Sequence, residues 1–221
     1  MGEMMLGKAL SVIVGAILLV SGFTVPAEAA TTYKASLRSA VRSLPVAAER
    51  DTGYDRYRYF GDWKDFNRDC QDTRAEVLIQ ESKTTTRFTS PTRCTVSKGK
   101  WVTNWDNRTH YYASKVQIDH LIPVHEAWGS GAKSWSQNRR INFYNDMGDR
   151  RALNPQTSSL NSSKQASGPE AWMPPKNRCR YVADWVAIKI RWGLKVDRAE
   201  KDALVKFANA CSSRTITVTK R

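Results

Sequence analysis

The sequence predicts an α+β domain, and three observations carry that prediction. Residues 93–105 alternate in the strand-like way, and residues 116–122 read as the next strand. Tyr181, Trp185, Ile188 and Trp192 follow one another at steps of four, three and four, which is one face of a helix. A second apolar helix face follows at Ala203, Leu204, Phe207, Ala208 and Cys211.

The chain begins with a basic flank at Lys8 and an apolar run over residues 9–23, followed by the small-x-small triplet Ala27-Glu28-Ala29. That run is short for a membrane span and has no stop-transfer pattern after it. Residues 1–29 are therefore read as a cleaved export signal rather than an anchor. Residues 30–51, polar and Ala-rich, read as a flexible leader. Residues 52–211 read as one domain, and residues 212–221 as a basic tail. No repeat or low-complexity linker divides the middle part.

Within the domain, GYDRYRYFGDW (53–63) is dense in Tyr and Arg and suits packing better than base stacking. Asp72 or Thr73 can cap a helix reaching about Glu81, with Val77 and Leu78 inward. The alternation over 93–105 breaks at Ser97-Lys98-Gly99, a hairpin signal. Residues 116–122 form the next strand, and Pro123 can open a short helix. Ser134 can cap a helix to about Asp146. A short strand is expected near 151–154. The polar stretch QTSSLNSSK (156–164) suits a turn with a short helix, and a loop at 168–175 holds a buried Trp172. Gly193 stops the first C-terminal helix, and Asp197 with Glu200 opens the second.

All four cysteines follow the export signal, and an even count in an exported chain reads as two disulfides. Cys179 and Cys211 lie nearly equidistant from the turn at 193–196. An antiparallel helical pair brings them together, which leaves Cys70 to pair with Cys94. With no CxxC pair and no Cys/His cluster, structural zinc is not expected.

The formal charge is +14, and loss of Lys8, Glu3 and Glu28 with the signal raises it by one. So basic a body attracts polyanions through counterion release. Charge alone serves nucleic acid and cell-wall polymer equally well, and many secreted proteins are merely basic.

The chemistry gathers in VQIDHLIPVHEAW (116–128), which holds two of the three histidines. Asp119-His120 at a strand end is a general-base arrangement. Alone it is usually a surface feature. It gains weight from Pro123 and from Asn161-Ser162-Ser163-Lys164 some forty residues on. With DHLIP (119–123) and NSSK (161–164), the sequence resembles the HNH endonucleases, the ββα-metal group. In particular it resembles the exported HNH proteins of Gram-positive bacteria, whose domain is like the C-terminal nuclease part of a modification-dependent restriction system. RDCQDTRAEVL (68–78), DHLIPVHEAWGSGAKSW (119–135), FYNDMGDRRAL (143–153), NSSKQASGPEAWMPP (161–175) and CRYVADWVAIKIRWGL (179–194) carry that likeness over residues 52–211.

The resemblance implies a ββα-metal core, preceded by a helix and β-hairpin and closed by the disulfide-linked helical pair. It implies that Asp119 and Asn161 bind one divalent metal and that His120 is the base activating water. It also implies that Lys164 touches phosphate. One carboxylate and one amide oxygen favour Mg²⁺ over zinc. The expected partner is nucleic acid, DNA first and then RNA, with no membrane association after signal cleavage. One position departs from the pattern. Many HNH proteins carry a middle Asn before a Leu, where this chain has Ala152-Leu153. Backbone hydrogen bonds or Asn145 are the expected substitutes.

Other residues have blander readings. Arg74 suits a phosphate clamp and a tie to the core equally. His125, five residues after His120, is expected to point elsewhere, as a surface or packing residue. His110 is expected in a loop. The lack of HExxH argues against a zinc protease. Asn161-Ser162-Ser163 also matches a glycosylation sequon, which a bacterial-looking signal makes irrelevant. The competing class is a non-catalytic, polyanion-binding extracellular protein. A toxin paired with an immunity protein is weaker, since no partner surface is legible.

Overall fold

The computed structural model describes residues 1–2 and 31–221, and the expected export signal lies outside the described residues apart from its first two. In chain order the described residues form β1 (Thr32–Ser36), α1 (Leu37–Ser43), α2 (Arg56–Tyr59), α3 (Thr73–Glu81), β2 (Arg87–Phe88), β3 (Val96–Val102) and β4 (Thr109–Tyr112). There follow β5 (Val116–His120), α4 (Val124–Gly129), α5 (Gln137–Tyr144), β6 (Leu153–Thr157), α6 (Ser158–Lys164), α7 (Arg178–Trp192), α8 (Arg198–Ala210) and β7 (Thr215–Thr219). The strands make three small sheets, ordered β1-β7, β2-β3-β4 and β5-β6. This is the expected α+β class, with its core built on helices rather than on one large sheet.

The centre of the core is α7. A one-sided apolar stripe was expected, but nearly every residue from Tyr181 to Trp192 is buried. The reason is that α1, α8 and β7 all pack on it, and a helix enclosed on several sides has little face left for water. Its two buried cations, Lys189 and Arg191, have partners. Arg191 donates to both oxygens of Asp146 at 2.6 and 2.8 Å. Lys189 Nζ reaches Glu126 at 2.6 Å and Glu200 at 2.9 Å. At its end Gly193 adopts φ +63°, the left-handed cap that a side chain would strain.

Asp197 caps α8 by accepting from Glu200 N at 2.7 Å. The Glu200 side chain does not reach back to complete a capping box. It turns into the core toward Trp185 and Lys189. Both disulfides form as expected, Cys70–Cys94 with Cα atoms 5.0 Å apart and Cys179–Cys211 with 5.6 Å.

Four local expectations are corrected. The leader and the tail are not loose: β1 pairs antiparallel with β7, with Thr32 opposite Thr219 and Ser36 opposite Thr215. Thr215-Ile-Thr-Val-Thr buries Ile216 and Val218 and turns the threonines outward, a period-two pattern that needs a partner strand. In α1 and its cap, Leu37, Ala40, Val41 and Leu44 bury at helical spacing. Ser97-Lys98-Gly99 is not a turn but lies inside β3, the middle strand of its sheet. Gly99 marks a close approach there, since a Cβ would sit 2.7 Å from the ring of buried Trp101. Helix α5 is capped by Ser136, not Ser134, and ends at Tyr144. Trp172 is only partly buried.

Candidate active site

Strands β5 and β6 pair antiparallel, with Asp119 opposite Asn154 and His120 opposite Leu153, and α6 follows directly and packs on both. This is a ββα unit. Gln117 and Asp119, two apart on β5, share one face of the strand. Asn161 and Lys164, three apart on α6, share one face of the helix. The two faces meet in register. Asn161 Nδ2 donates to Gln117 Oε1 at 2.8 Å. Lys164 Nζ donates to Asp119 Oδ1 and Oδ2 at 2.8 and 2.7 Å, and to His120 O at 2.7 Å.

These bonds settle the position of Lys164. An ammonium has three protons, and all three are taken. The side chain is only 1% exposed, so as placed it offers nothing to a phosphate, contrary to expectation. Burial raises the pKa of Asp119 and lowers that of Lys164, each against the attraction of the other.

His120 ends β5. Its Nε2 lies 2.8 Å from Tyr144 O. That carbonyl sits at the last residue of α5, where helix carbonyls lack an intrahelical partner. A carbonyl can only accept, so Nε2 carries the proton and Nδ1 keeps the lone pair of the neutral ring. The indole of Trp63 stacks on the imidazole at 5.0 Å with planes 3° apart, and the Tyr144 ring lies 4.4 Å away. Burial lowers the pKa of His120 to about 3, so the ring is neutral across the ordinary pH range.

Asp119, His120, Asn161 and Arg74 all line one cleft of about 490 Å³. Arg74 serves as a tie as well, since Nη2 donates to Ala113 O at 3.3 Å and lies 3.5 Å from Val116 O. The cleft also holds residues that the sequence did not single out for chemistry: Gln117, Arg56 and Trp63. Gln117 was findable, because it stands two residues before Asp119 and a strand repeats every two. His125 lines the cleft too, against expectation. His110 does not; it meets Thr157 Oγ1 at 3.0 Å.

Around Ala152-Leu153, where the resemblance led to the expectation of backbone bonds or Asn145, bonds from the backbone and from Asn154 hold the segment. Leu121 N donates to Ala152 O at 2.9 Å, and Asn154 Nδ2 donates to Arg151 O at 2.8 Å. Asn145 instead ties α5 to the segment before α3, accepting from Lys64 N at 2.9 Å.

The sequence profile described as "GmrSD restriction endonucleases, C-terminal domain" matches residues 62–207. The chain belongs to this family. The match takes in the ββα unit and every residue of the cleft except Tyr54 and Arg56. An "Uncharacterized secreted protein" of Arthroderma benhamiae is 36% identical over 165 residues, covering 72% of this chain and 76% of its own length. No solved structure matches the chain.

A divalent cation can be tested against the donors present. Among the described residues, no three His, Cys, Asp or Glu side chains gather into a metal cage. Asp119 and Asn161 supply hard oxygens to the cleft, and with Nδ2 of Asn161 turned to Gln117 its Oδ1 is the free end. So sparse a set fits an ion that keeps most of its waters, as Mg²⁺ does, better than zinc. Such an ion has to share the Asp119 carboxylate with Lys164 or displace it.

Proposed function

We propose that the protein is an exported, metal-dependent endonuclease of the HNH type that hydrolyses phosphodiester bonds of DNA, with RNA as the second substrate to try. The observation that carries this reading is the state of His120: a neutral imidazole, its proton fixed on Nε2 by Tyr144 O, in one cleft with Asp119 and Asn161. Membership of a restriction-endonuclease family supports the reaction class. Two disulfides and a relative named as secreted support export.

In this reading His120 Nδ1 accepts the proton of the attacking water. Trp63 and Tyr144 hold the ring so that the lone pair cannot swing away. Asp119 and Asn161 would hold a divalent cation, most readily Mg²⁺, which when bound supplies positive charge to the phosphoryl oxygens. Arg74 and Arg56 place guanidinium groups where substrate phosphate enters. Phosphate contacts give position without base information, so cleavage is expected to be weakly sequence-selective.

The test is plasmid cleavage in Mg²⁺. The wild-type chain nicks or degrades the DNA, and His120→Ala is slower by roughly 10²–10⁴-fold, the usual worth of a positioned base. Equal rates in both proteins end the assignment of the base. Chelation separates the enzyme from a mere polyanion binder. The enzyme stops in EDTA, whereas a binder shows no cleavage at the outset and holds its DNA.

A further inference from the structure

The base leaves half of the proton traffic unassigned, and resting on the nuclease reading, we propose that His125 is the general acid that protonates the departing sugar oxygen. The orientation of α4 makes the case. Glu126 turns inward, where Oε1 meets Lys189 Nζ at 2.6 Å and Ser130 Oγ at 2.7 Å, and Ala127 and Trp128 are buried beside it. Successive helical residues point about 100° apart, so with Glu126 fixed inward the preceding side chain is carried out to the cleft. There His125 stays 42% exposed and lines the same walls as His120.

Two neighbours hold the ring. Asp51 Oδ1 lies 3.5 Å from Nε2, and Tyr54 stacks on the imidazole with centroids 4.4 Å apart and planes 23° from parallel. The segment bearing both is fastened to α4, Arg50 N donating to Gly129 O at 3.2 Å. A carboxylate toward Nε2 favours a proton there and leaves Nδ1 for the substrate. As the acid, His125 acts as the imidazolium, with Nε2–H toward Asp51 and Nδ1–H as the proton it gives to the leaving oxygen.

No other cleft side chain fits the task. His120 is the deprotonated partner. The protons of Lys164 are committed to Asp119 and His120 O. Arg56 and Arg74 are guanidinium groups that do not give up a proton in proteins. Burial pushes the Tyr54 hydroxyl above its usual range. The step balances. Water oxygen bonds to phosphorus as its proton passes to His120 Nδ1. The bond from phosphorus to the leaving oxygen breaks, and that oxygen takes the proton of His125. The products are a phosphomonoester and an alcohol, and the two rings exchange their protons with solvent.

The experiment compares two substrates on the full-length exported chain in Mg²⁺. One is duplex DNA, whose alkoxide needs a proton to leave. The other is a nucleoside p-nitrophenyl phosphodiester, whose phenolate does not. His125→Asn should slow DNA cleavage roughly 10²–10⁴-fold and leave p-nitrophenol release within about threefold of wild type. Equal losses on both substrates would mean that His125 only shapes the cleft, and the proposal would fall. Unchanged DNA cleavage would sink it as well. His120→Ala serves as the control for the underlying reading. If it keeps both activities while His125→Asn shows the split, the base is misassigned and the acid stands. A wild-type chain inert toward both substrates removes the nuclease reading, and this proposal with it.

Discussion

One buried imidazole adds to the acid sensitivity of this protein. Burial holds His120 at a pKa of about 3, far below an unfolded histidine near 6.5. Between those values the unfolded chain takes up a proton that the folded chain refuses, so acid favours unfolding. The contribution of His120 to stability is complete above about pH 6.5 and is lost as pH falls toward 3. Thermal melts in EDTA from pH 4 to 8 should show the wild type losing stability on acidification faster than His120→Asn. Parallel curves would show that the ring is not held neutral. Lys164 shows how one residue's surroundings change its role. Its place in NSSK suggests a phosphate contact, yet three acceptors at 2.7–2.8 Å consume its protons.

At the scale of elements, the cleft is aimed by a polar knot in the core. Lys189 of α7 binds Glu126 of α4, Glu200 of α8, Ser130 and Lys195 O, with the ammonium fully buried. That knot fixes α4, and α4 carries His125 to the cleft. Lys189→Met leaves two buried carboxylates facing each other without a cation. The expected loss is about 3–5 kcal/mol, measured by urea unfolding. Cleavage should fall as well, because α4 loses its anchor. A variant as stable as wild type would mean that apolar packing alone holds α4.

For the whole molecule, the segments over residues 32–44 and 198–219 act as one closure. Lys201 of α8 donates to Val41 O and Leu44 O at 2.6 and 2.8 Å, covering the end of α1. Arg38 in turn reaches Asn209 O at 3.2 Å, near the end of α8. Each helix thus satisfies the orphan carbonyls of the other. A chain lacking residues 31–44 loses the burial of Leu37, Val41 and Leu44 and strips β7 of its partner. The expected cost is on the order of 5 kcal/mol, seen as a depressed melting temperature. Undiminished stability would make these residues the loose leader that their composition suggests.

Much of this was legible in sequence because the signals are local. Helix caps at Asp72 and Asp197, the strand opening at Val116, the helix opened at Pro123 and the Cys179–Cys211 bridge each follow from residues close along the chain or at fixed period. Of the side chains singled out from DHLIP and NSSK, Asp119, His120 and Asn161 line one cleft, whereas Lys164 does not. Tertiary structure alone decided three things: that the leader pairs with the tail, that Lys164 seals Asp119, and that His125 faces the cleft. The physical reason is the same in each. A strand edge, a buried carboxylate and a short helix's orientation are satisfied by groups 45 to nearly 190 residues distant, and composition and period carry no record of which distant group arrives.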